Sequence, residues 1–350
     1  MKIRGLGRLR KLAVRLNFHL SRRAVVLLYH RVAAPGRDPQ LLAVSPSNFA
    51  SHLQVIRTIY TPLALRELSA AIRQRKIPHH KVVVTFDDGY ADNLAVAKPL
   101  LERYRVPGTV FVTSGAIDSS TQFWWDELGS LLLGRTDLPR SVAICIGGRV
   151  EEWNLTNPAR TLENSTVGAQ WSVLSNSDPT PAHTAYRELC ARVRPLDTED
   201  REAVLASIRR RLGVHRAPRQ DSRTITTAEL QDLARGGLVE VGAHTVNHVL
   251  LSAMSKDRQV EEITESKRTI EGIIPFPVET FSYPFGGHAD YSRETVELVK
   301  RNGFFCACSN FEGVVTKETD LFQIPRFIVR DWDGPTFAAK LHDWFTRLEV

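Results

Sequence analysis

The sequence predicts a parallel α/β fold, and three observations carry this prediction. Seven short runs of β-branched and apolar residues alternate with segments of helical periodicity. Runs such as Val82–Val84 are apolar without interruption, which is typical of strands buried on both faces. The 350 residues are 43% hydrophobic and 24% charged, so the chain has the composition of a globular protein with a large core.

The predicted strands occur in order along the chain, with helical patterns between most of them. They span residues 24–30, 81–86, 108–113, 238–243, 279–283, 304–309 and 322–329. Polar or turn residues stand where several of these strands end, namely His30, Asp87, Asp88, His244 and the turn Tyr283–Gly286. If the strands close into one barrel, their carboxyl ends meet on one rim, where such folds hold their functional residues.

Residues 121–222 interrupt this alternation. About one hundred residues are too many for a normal connection inside a compact barrel, so we predict an inserted, mostly helical subdomain. The barrel then comprises residues 24–120 and 223–350. The insertion begins with Trp124 and Trp125, which can stack on a sugar ring. Adjacent tryptophans at the start of a helix more often anchor an insertion to its host, and we favour that interpretation.

Residues 1–23 are basic and contain no acidic side chain. Their apolar residues recur at helical spacing, which predicts an amphipathic helix that either lies on an anionic membrane surface or packs on the domain. No apolar run is long enough to span a bilayer or to form a secretory signal, so we expect a cytoplasmic protein, peripheral to the inner membrane surface if the helix binds lipid. The net charge of +7 is concentrated in this segment, and no nucleic-acid-binding signature accompanies it, so we expect no nucleic-acid partner. The four cysteines do not form a disulfide framework.

Two motifs carry the candidate chemistry. Thr85-Phe86-Asp87-Asp88-Gly89 ends one buried strand, and His244-Thr245-Val246-Asn247-His248 follows another. Successive residues of an extended chain point to opposite faces, so one aspartate can bind a metal while the other faces the substrate water. The two histidines, at positions i and i+4, share a face if the segment turns helical, and neutral imidazoles are ligands that suit zinc.

Together, Asp88, His244 and His248 supply three protein ligands and leave one coordination position open. Asp87 then remains available as a general base toward a metal-activated water. The occurrence of both motifs after buried strands predicts a metal-dependent hydrolase. Zn²⁺ suits this ligand set best, and Co²⁺, Ni²⁺ and Mn²⁺ are the alternatives.

The two motifs resemble the first two motifs of the polysaccharide deacetylase family, which are carbohydrate esterases. The resemblance covers roughly residues 24–121 and 222–337. It implies a distorted (β/α)7 barrel, a divalent metal and hydrolysis of an acetyl group on a sugar. It also implies that Asp87 is the catalytic base and that the metal ligands are Asp88, His244 and His248.

The third family motif usually contains an arginine, and Ser282 stands at that position here, before Tyr283-Pro284-Phe285-Gly286. The backbone N–H of Phe285 can still serve as an oxyanion donor, because that contribution needs no particular side chain. Arg326 either replaces the missing arginine beside the base or caps a barrel strand by a salt bridge. Asp331-Trp332 corresponds to the family's aspartate and tryptophan motif, so Asp331 is a second candidate support for the base.

The family's last motif contributes a histidine that acts as the general acid. Near the C-terminus only His342 is available, within a helical pattern, and we expect it to be a surface or packing residue. Val26-Leu27-Leu28-Tyr29-His30 matches better, because the first strand of a closed barrel neighbours the last. This arrangement is similar to permuted exopolysaccharide-type deacetylases, and His30 becomes the candidate proton donor. The alternative is a strand-end histidine bonded to backbone.

The predicted function is therefore metal-dependent removal of an N-acetyl group from an amino sugar in a polysaccharide, an oligosaccharide or a lipid-linked glycan. The motifs do not identify the acyl group, so a deformylase or an O-acetyl esterase acting on a sugar stays open. A non-catalytic glycan-binding or assembly protein is the alternative outside the enzymes. Chain length of the substrate, metal identity and oligomeric state are not fixed by these motifs.

Overall fold

A computed structural model describes residues 22–156, 168, 170–214 and 222–346. The amphipathic helix predicted within residues 1–23 lies outside this range, apart from its last two positions. Within the described residues, no helix combines the length and the apolarity that crossing a bilayer requires.

The central element is a parallel sheet of seven strands in the order β11-β10-β9-β6-β5-β1-β12. These strands are β1 (Ala24–Tyr29), β5 (Lys81–Phe86), β6 (Gly108–Val112), β9 (Val239–Ala243), β10 (Thr280–Ser282), β11 (Cys306–Cys308) and β12 (Phe327–Ile328). They are the seven predicted strands, and every neighbouring pair is parallel. The short strand β4 (Thr61–Pro62) adds to β5, and β2 (Arg31–Val32) pairs with β3 (Ala43–Val44).

The segment before β12 closes the sheet into a barrel. Ile324 forms a parallel bridge with Cys308 of β11, and its N–H donates to Ala307 O at 2.9 Å. Three residues later Phe327 pairs with Leu27 of β1. One short segment therefore joins the two ends of the sheet, and the predicted parallel barrel is confirmed.

Both faces of the barrel strands are buried, as their uninterrupted apolar runs predict. In β1, the side chains of Val25 and Leu27 belong to the largest hydrophobic cluster, whereas Ala24 and Val26 belong to a separate one. The period of two places alternate side chains against the outer helices and inside the barrel. Burial of each Val or Leu side chain contributes about 1.5–3 kcal/mol, so the strands are held from both sides.

Helices cover the outside of the barrel. They are α1 (Pro46–Ile59), α2 (Leu65–Arg73), α3 (Lys98–Tyr104), α7 (Thr227–Ala234), α8 (Lys256–Ile273), α9 (Arg293–Arg301) and α10 (Gly334–Thr346), with a short π-helix over Asn93–Ala97 and 3₁₀ turns over Ser114–Ala116 and Leu251–Ala253. Side-chain caps fix several starts: the Thr226 hydroxyl and Glu229 form a reciprocal capping box on α7. Such caps satisfy backbone N–H groups that have no partner within the helix.

The insertion contains α4 (Trp124–Leu132), the antiparallel hairpin β7 (Ser141–Ile146) and β8 (Arg149–Asn154), α5 (Pro181–Val193) and α6 (Thr198–Arg211). It has its own hydrophobic cluster, which reaches the barrel through Tyr90. Trp124 and Trp125 are buried, and the Trp125 indole N–H donates to the Tyr90 hydroxyl at 2.9 Å. The two tryptophans therefore anchor the insertion to the barrel.

Candidate metal centre and active site

The Asp87-Asp88-Gly89 motif leaves β5 at the carboxyl rim. The Asp87 N–H donates to Tyr29 O at 3.0 Å, which continues the β1–β5 ladder, and the Asp88 carbonyl accepts from Thr113 N at 3.2 Å. Asp88 then adopts a positive φ of 78°. Gly89 has φ 82°, and a side chain there would press on Val112, so the turn after the acids requires glycine.

The predicted metal ligands come together. The Asp88 Oδ1 atom lies 3.6 Å from His244 Nε2 and 3.4 Å from His248 Nε2, and all three residues are buried. Among the described residues, this trio is the one group of His, Cys, Asp and Glu side chains whose ligand atoms lie close enough to hold a metal ion.

The hydrogen bonding of these side chains fits a cation. His244 Nδ1 lies 2.8 Å from Ser282 O, and because a carbonyl only accepts, Nδ1 carries the proton and Nε2 presents a lone pair. The Asp88 Oδ1 atom is buried and has no hydrogen-bond partner. A buried carboxylate oxygen without a donor costs free energy that a metal ion would remove. Asp88, His244 and His248 therefore fit a divalent metal.

Both imidazoles are neutral, as metal ligands must be. Burial lowers the pKa of His248 to about 3, and the nearby charge of Arg201 acts in the same direction. Burial also lowers the pKa of His244, against the opposing effect of Asp87. Neither ring needs to lose a proton at neutral pH before it can bind a metal.

The second motif does not turn helical, which corrects the sequence-based expectation for how its histidines converge. Residues 244–250 form an irregular turn in which Thr245 and His248 have φ values of 62° and 50°. Glu262 of α8 holds this turn by accepting from Val246 N and Asn247 N, both at 2.8 Å. In this turn the ring centroids of His244 and His248 lie 4.9 Å apart. The strained backbone therefore brings the two rings together without a helical turn.

Arg326 is the arginine beside the predicted base. Its guanidinium makes two 2.7 Å hydrogen bonds to the two carboxylate oxygens of Asp87, and it also donates to Ser282 Oγ and Thr85 Oγ1. The guanidinium Nε donates to Ser309 O at 2.7 Å. The sequence left two positions open for Arg326, beside Asp87 or at the end of a barrel strand. The structure places its guanidinium against Asp87.

Asp331 lies elsewhere. Its carboxylate accepts from the Ser45 N–H, the Ser45 hydroxyl and the Asn48 side chain at the start of α1. Of the two candidate supports for Asp87, Arg326 is the one that contacts it. Asp331 instead accepts hydrogen bonds from residues at the start of α1.

The charge of Asp87 is fixed by this contact. Burial raises the pKa of Asp87, but Arg326 and His244 outweigh burial and hold the pKa at about 2. Asp87 is consequently ionised across the physiological range. A carboxylate clamped in this way is well oriented but weakly basic.

The remaining predicted residues lie on the same cavity. A cavity of about 460 Å³ is lined by His30, Phe285 and the four motif residues Asp87, Asp88, His244 and His248. Phe285 has φ 62°, and its ring centroid lies 4.7 Å from that of His248. No backbone carbonyl of the described residues accepts from its N–H. His342, by contrast, is exposed on α10.

His30 is half-buried at the end of β1. Burial lowers the pKa of His30, while the carboxylates of Asp88 and Asp87 act in the opposite direction. The backbone carbonyl of His30 accepts from Asn93 Nδ2 at 2.8 Å. The ring therefore shares an electrostatic environment with both acids.

Sequence reasoning named Trp125 as able to stack on a sugar ring, but it missed the other cavity-wall residues that the insertion supplies. The wall residues from this subdomain include Trp125, Arg187, Cys190 and Arg194, and further lining comes from Gln40 and Arg330. No local sequence pattern identifies these insertion residues as cavity lining, because their position at the cavity depends on how the insertion packs against the barrel. Arg330 had a usable signal, since it stands just beyond a predicted barrel strand.

The parallel barrel carries the two motifs at its carboxyl rim, which is the arrangement that the resemblance implied. The family model of the polysaccharide deacetylases matches residues 74–133 and 196–306, just under half of the chain. The unmatched stretch between these two segments lies inside the insertion. The resemblance predicted from the motifs is therefore confirmed.

Individual relatives agree with this family. YxkH of Bacillus subtilis (strain 168), a polysaccharide deacetylase by name, is 33% identical over 94 residues, which make up 26% of this chain and 32% of YxkH. The deacetylase PplD of Streptococcus pyogenes, solved in complex with acetate, has a TM-score of 0.56 at 16% identity and covers 91% of this chain and 97% of its own. IcaB from Ammonifex degensii has a TM-score of 0.55 at 17% identity over 93% and 97% of the two chains. The two solved structures share the fold with this protein.

Proposed function

We propose that the protein is a metal-dependent hydrolase that removes the N-acetyl group from an amino sugar in a polysaccharide, an oligosaccharide or a lipid-linked glycan. The observation that carries this proposal is the unpartnered Asp88 Oδ1 atom between two imidazole nitrogens, next to a second carboxylate clamped by Arg326. The match to the polysaccharide deacetylase family supports the choice of an acylated sugar as substrate.

Asp88, His244 and His248 would hold the metal. Two imidazole nitrogens and one carboxylate oxygen form a ligand set that suits Zn²⁺, and Co²⁺, Ni²⁺ and Mn²⁺ accept similar donors. When bound, such an ion acts as a Lewis acid toward the acyl carbonyl and acidifies water.

Asp87 acts as the general base in this proposal. The Arg326 guanidinium occupies both of its oxygens and fixes the carboxylate plane, while Ser282 Oγ lies 3.2 Å from Asp87 Oδ2. These contacts keep the carboxylate ionised and aimed, which is what acceptance of one proton from water requires. A metal held by Asp88, His244 and His248 would acidify water, and this would offset the low basicity of Asp87.

Phe285 and His30 complete the proposed set on the cavity wall. The Phe285 N–H would donate to the oxyanion of the tetrahedral intermediate, a role that depends on a preorganised backbone and not on the side chain. His30 would donate a proton to the departing nitrogen, so that the C–N bond breaks to give acetate and a free amine. Burial lowers the pKa of His30 and the carboxylates of Asp88 and Asp87 oppose this shift, so the proton for this step has to be held against the net effect of burial.

The test is release of acetate and formate from acylated amino sugars by the zinc-loaded protein. We expect acetate from N-acetylglucosamine oligosaccharides, loss of activity on chelation and recovery with zinc. Asp87→Asn should lose turnover while its zinc content stays at the wild-type level. Asp137→Asn is the matched control, because this carboxylate is 70% exposed and lies on the surface of the insertion.

Several results would overturn the proposal. Release of formate would show that the substrate carries a formyl group and that the protein is a deformylase. Release of acetate from O-acetylated sugars alone would show that the protein is an O-acetyl esterase. Full activity of Asp87→Asn would remove Asp87 as the base. Zinc binding without release of any acid would favour a non-catalytic glycan-binding protein.

A further inference from the structure

The cavity beside the metal ligands is lined by three arginines, Arg187, Arg194 and Arg330. Two of them already have carboxylate partners in the structure. Arg187 pairs with Asp178 at 2.7 Å, and Arg194 pairs with Asp290 at 2.6 Å. Their charges are therefore largely neutralised by the protein itself.

Arg330 differs from these two. It is half-buried, and its guanidinium donates to the backbone carbonyl of Leu41. Within the described part of the chain no carboxylate lies within ion-pairing distance of it. The charge of Asp38 acts on Arg330, and the two carboxylate oxygens of Asp38 accept from Leu42 N and Ala43 N. Arg330 thus brings a positive charge and further N–H donors to the cavity, and among the described residues no carboxylate forms an ion pair with it.

The position of Arg330 relative to the proposed proton donor follows from the strand register. Leu28 of β1 pairs with Ile328 of β12, and the Val329 N–H donates to Leu28 O at 2.9 Å. His30 and Arg330 each stand two residues beyond this pair, so they leave two adjacent parallel strands at the same level. Neighbouring strands lie about 4.8 Å apart, which makes the two side chains neighbours at the rim.

Burying a cation in a cavity costs free energy unless an anion compensates it. A planar guanidinium with several open donors suits the paired oxygens of a carboxylate or a phosphate. The cavity therefore favours a ligand that brings a negative charge to the place beside His30.

We propose that the substrate is an anionic acetamido sugar, whose carboxylate or phosphate group is bound by Arg330. This inference rests on the proposed function, because His30 is there placed beside the departing nitrogen. In a 2-acetamido sugar, the carbon that carries this nitrogen is C2, and its ring neighbours are C1 and C3. The anionic group is accordingly attached at C1, as in a glycosyl phosphate, or at C3, as in a lactyl ether.

The experiment compares three sugars of similar size with the zinc-loaded protein: N-acetylglucosamine, N-acetylglucosamine 1-phosphate and N-acetylmuramic acid. We expect a higher kcat/KM for one of the two anionic sugars than for the neutral one, and which of them is preferred tells a C1 phosphate from a C3 carboxylate. Arg330→Gln should lower the ratio of anionic to neutral kcat/KM by about tenfold or more, the size of a lost charge-assisted hydrogen bond. The loss should fall mainly on KM.

Two further variants separate recognition from structural support. Arg330→Lys keeps the charge and should retain part of the preference for the anionic sugar. Arg235→Gln removes the same charge from a side chain that is 76% exposed and should leave the ratio unchanged. If Arg330 only ties the Leu41 loop to the barrel, its variants will slow all three sugars equally, and the inference fails.

Binding measured by calorimetry makes the result independent of turnover. Zinc-loaded Asp87→Asn should bind the preferred anionic sugar more tightly than the neutral one, and the double variant with Arg330→Gln should lose that difference. Acetate release with no preference for charge overturns this inference and leaves the proposed function intact. Charge-selective binding without release of any acid overturns the proposed function and supports an anion-binding role for Arg330. Equal binding of all three sugars overturns the inference.

Discussion

The substitution Arg326→Met tests how much the protein depends on the buried contact with Asp87. Arg326 is fully buried and makes five hydrogen bonds, two of them to the Asp87 carboxylate. Methionine fills part of the space but leaves Asp87 buried without a counter-charge. Breaking a buried ion pair on one side costs about 3–5 kcal/mol, so we expect the free energy of unfolding to fall by that amount at neutral pH.

The pH dependence of this loss has a defined sign. The pKa of Asp87 is depressed to about 2 from an ordinary value of 3.8, although burial by itself raises it, because Arg326 and His244 favour the ionised form. A depressed carboxyl pKa adds stability that is present above the unfolded-state value and is lost as the pH falls toward 2. This part amounts to about 2 kcal/mol at neutral pH.

In the variant, burial acts on Asp87 without its strongest opposing charge, so the pKa of this carboxyl rises. The variant then loses stability as the pH increases through the ordinary value, because folding favours the protonated acid. The difference in unfolding free energy between wild type and variant should therefore widen from acid to neutral pH. Titrating groups that the charge of Arg326 does not reach are common to both proteins and cancel in this comparison.

The assay is urea unfolding of the metal-free proteins at a series of pH values from about 3 to about 7, read by circular dichroism. Arg235→Met is the control for loss of a surface arginine. The double variant with Asp87→Asn should recover part of the loss, since no charge is then left buried. A variant within about 0.5 kcal/mol of wild type at neutral pH, or a difference that does not change with pH, would refute the reasoning.

Three further predictions concern metal affinity and helix capping. Glu262→Gln should weaken zinc binding by about 10- to 100-fold, because Glu262 orients the turn that carries His244 and His248 without being a ligand itself. Glu261, one residue away, is 57% exposed, so Glu261→Gln is the control and should leave zinc binding unchanged. Calorimetry with zinc measures both variants. Asp88→Asn should weaken zinc binding more than Glu262→Gln, and equal losses in the two variants would argue against Asp88 as a ligand. Glu229→Gln should cost about 1 kcal/mol at neutral pH. A hydrogen bond from Arg223 holds the Glu229 pKa at about 2 against an ordinary value of 4.5, so this cost should disappear as the pH falls from 4.5 through 2; urea unfolding across that range checks it.

Local sequence pattern was enough to find the residues that leave barrel strands. Asp87 and Asp88 follow an uninterrupted apolar run, and His244 and His248 follow another, so both pairs reach the carboxyl rim of any parallel barrel. Their convergence did not depend on knowing the loop conformations. The expected helical turn between the histidines was wrong, yet the ligand atoms still meet.

Features that depend on tertiary docking could not be read in the same way. The sequence offered two roles for Arg326 and could not choose between them, because its distance to Asp87 is set by the register with which the last strand closes the barrel. The insertion was recognised by its length and composition, but its contribution to the cavity wall depends on how Trp125 and Tyr90 pack together. Side chains such as Arg194 carry no local mark of that position.

The closing segment of the barrel has a consequence for how the protein is made. Asp87 and the guanidinium that neutralises it are 239 positions apart in the chain. While only the early strands have been synthesised, Asp87 has no counter-charge. Burying this carboxylate in the incomplete sheet would then cost free energy. Docking of the final strand closes the sheet and neutralises the acid in the same event. The candidate active site is therefore complete only when all the barrel strands are in place.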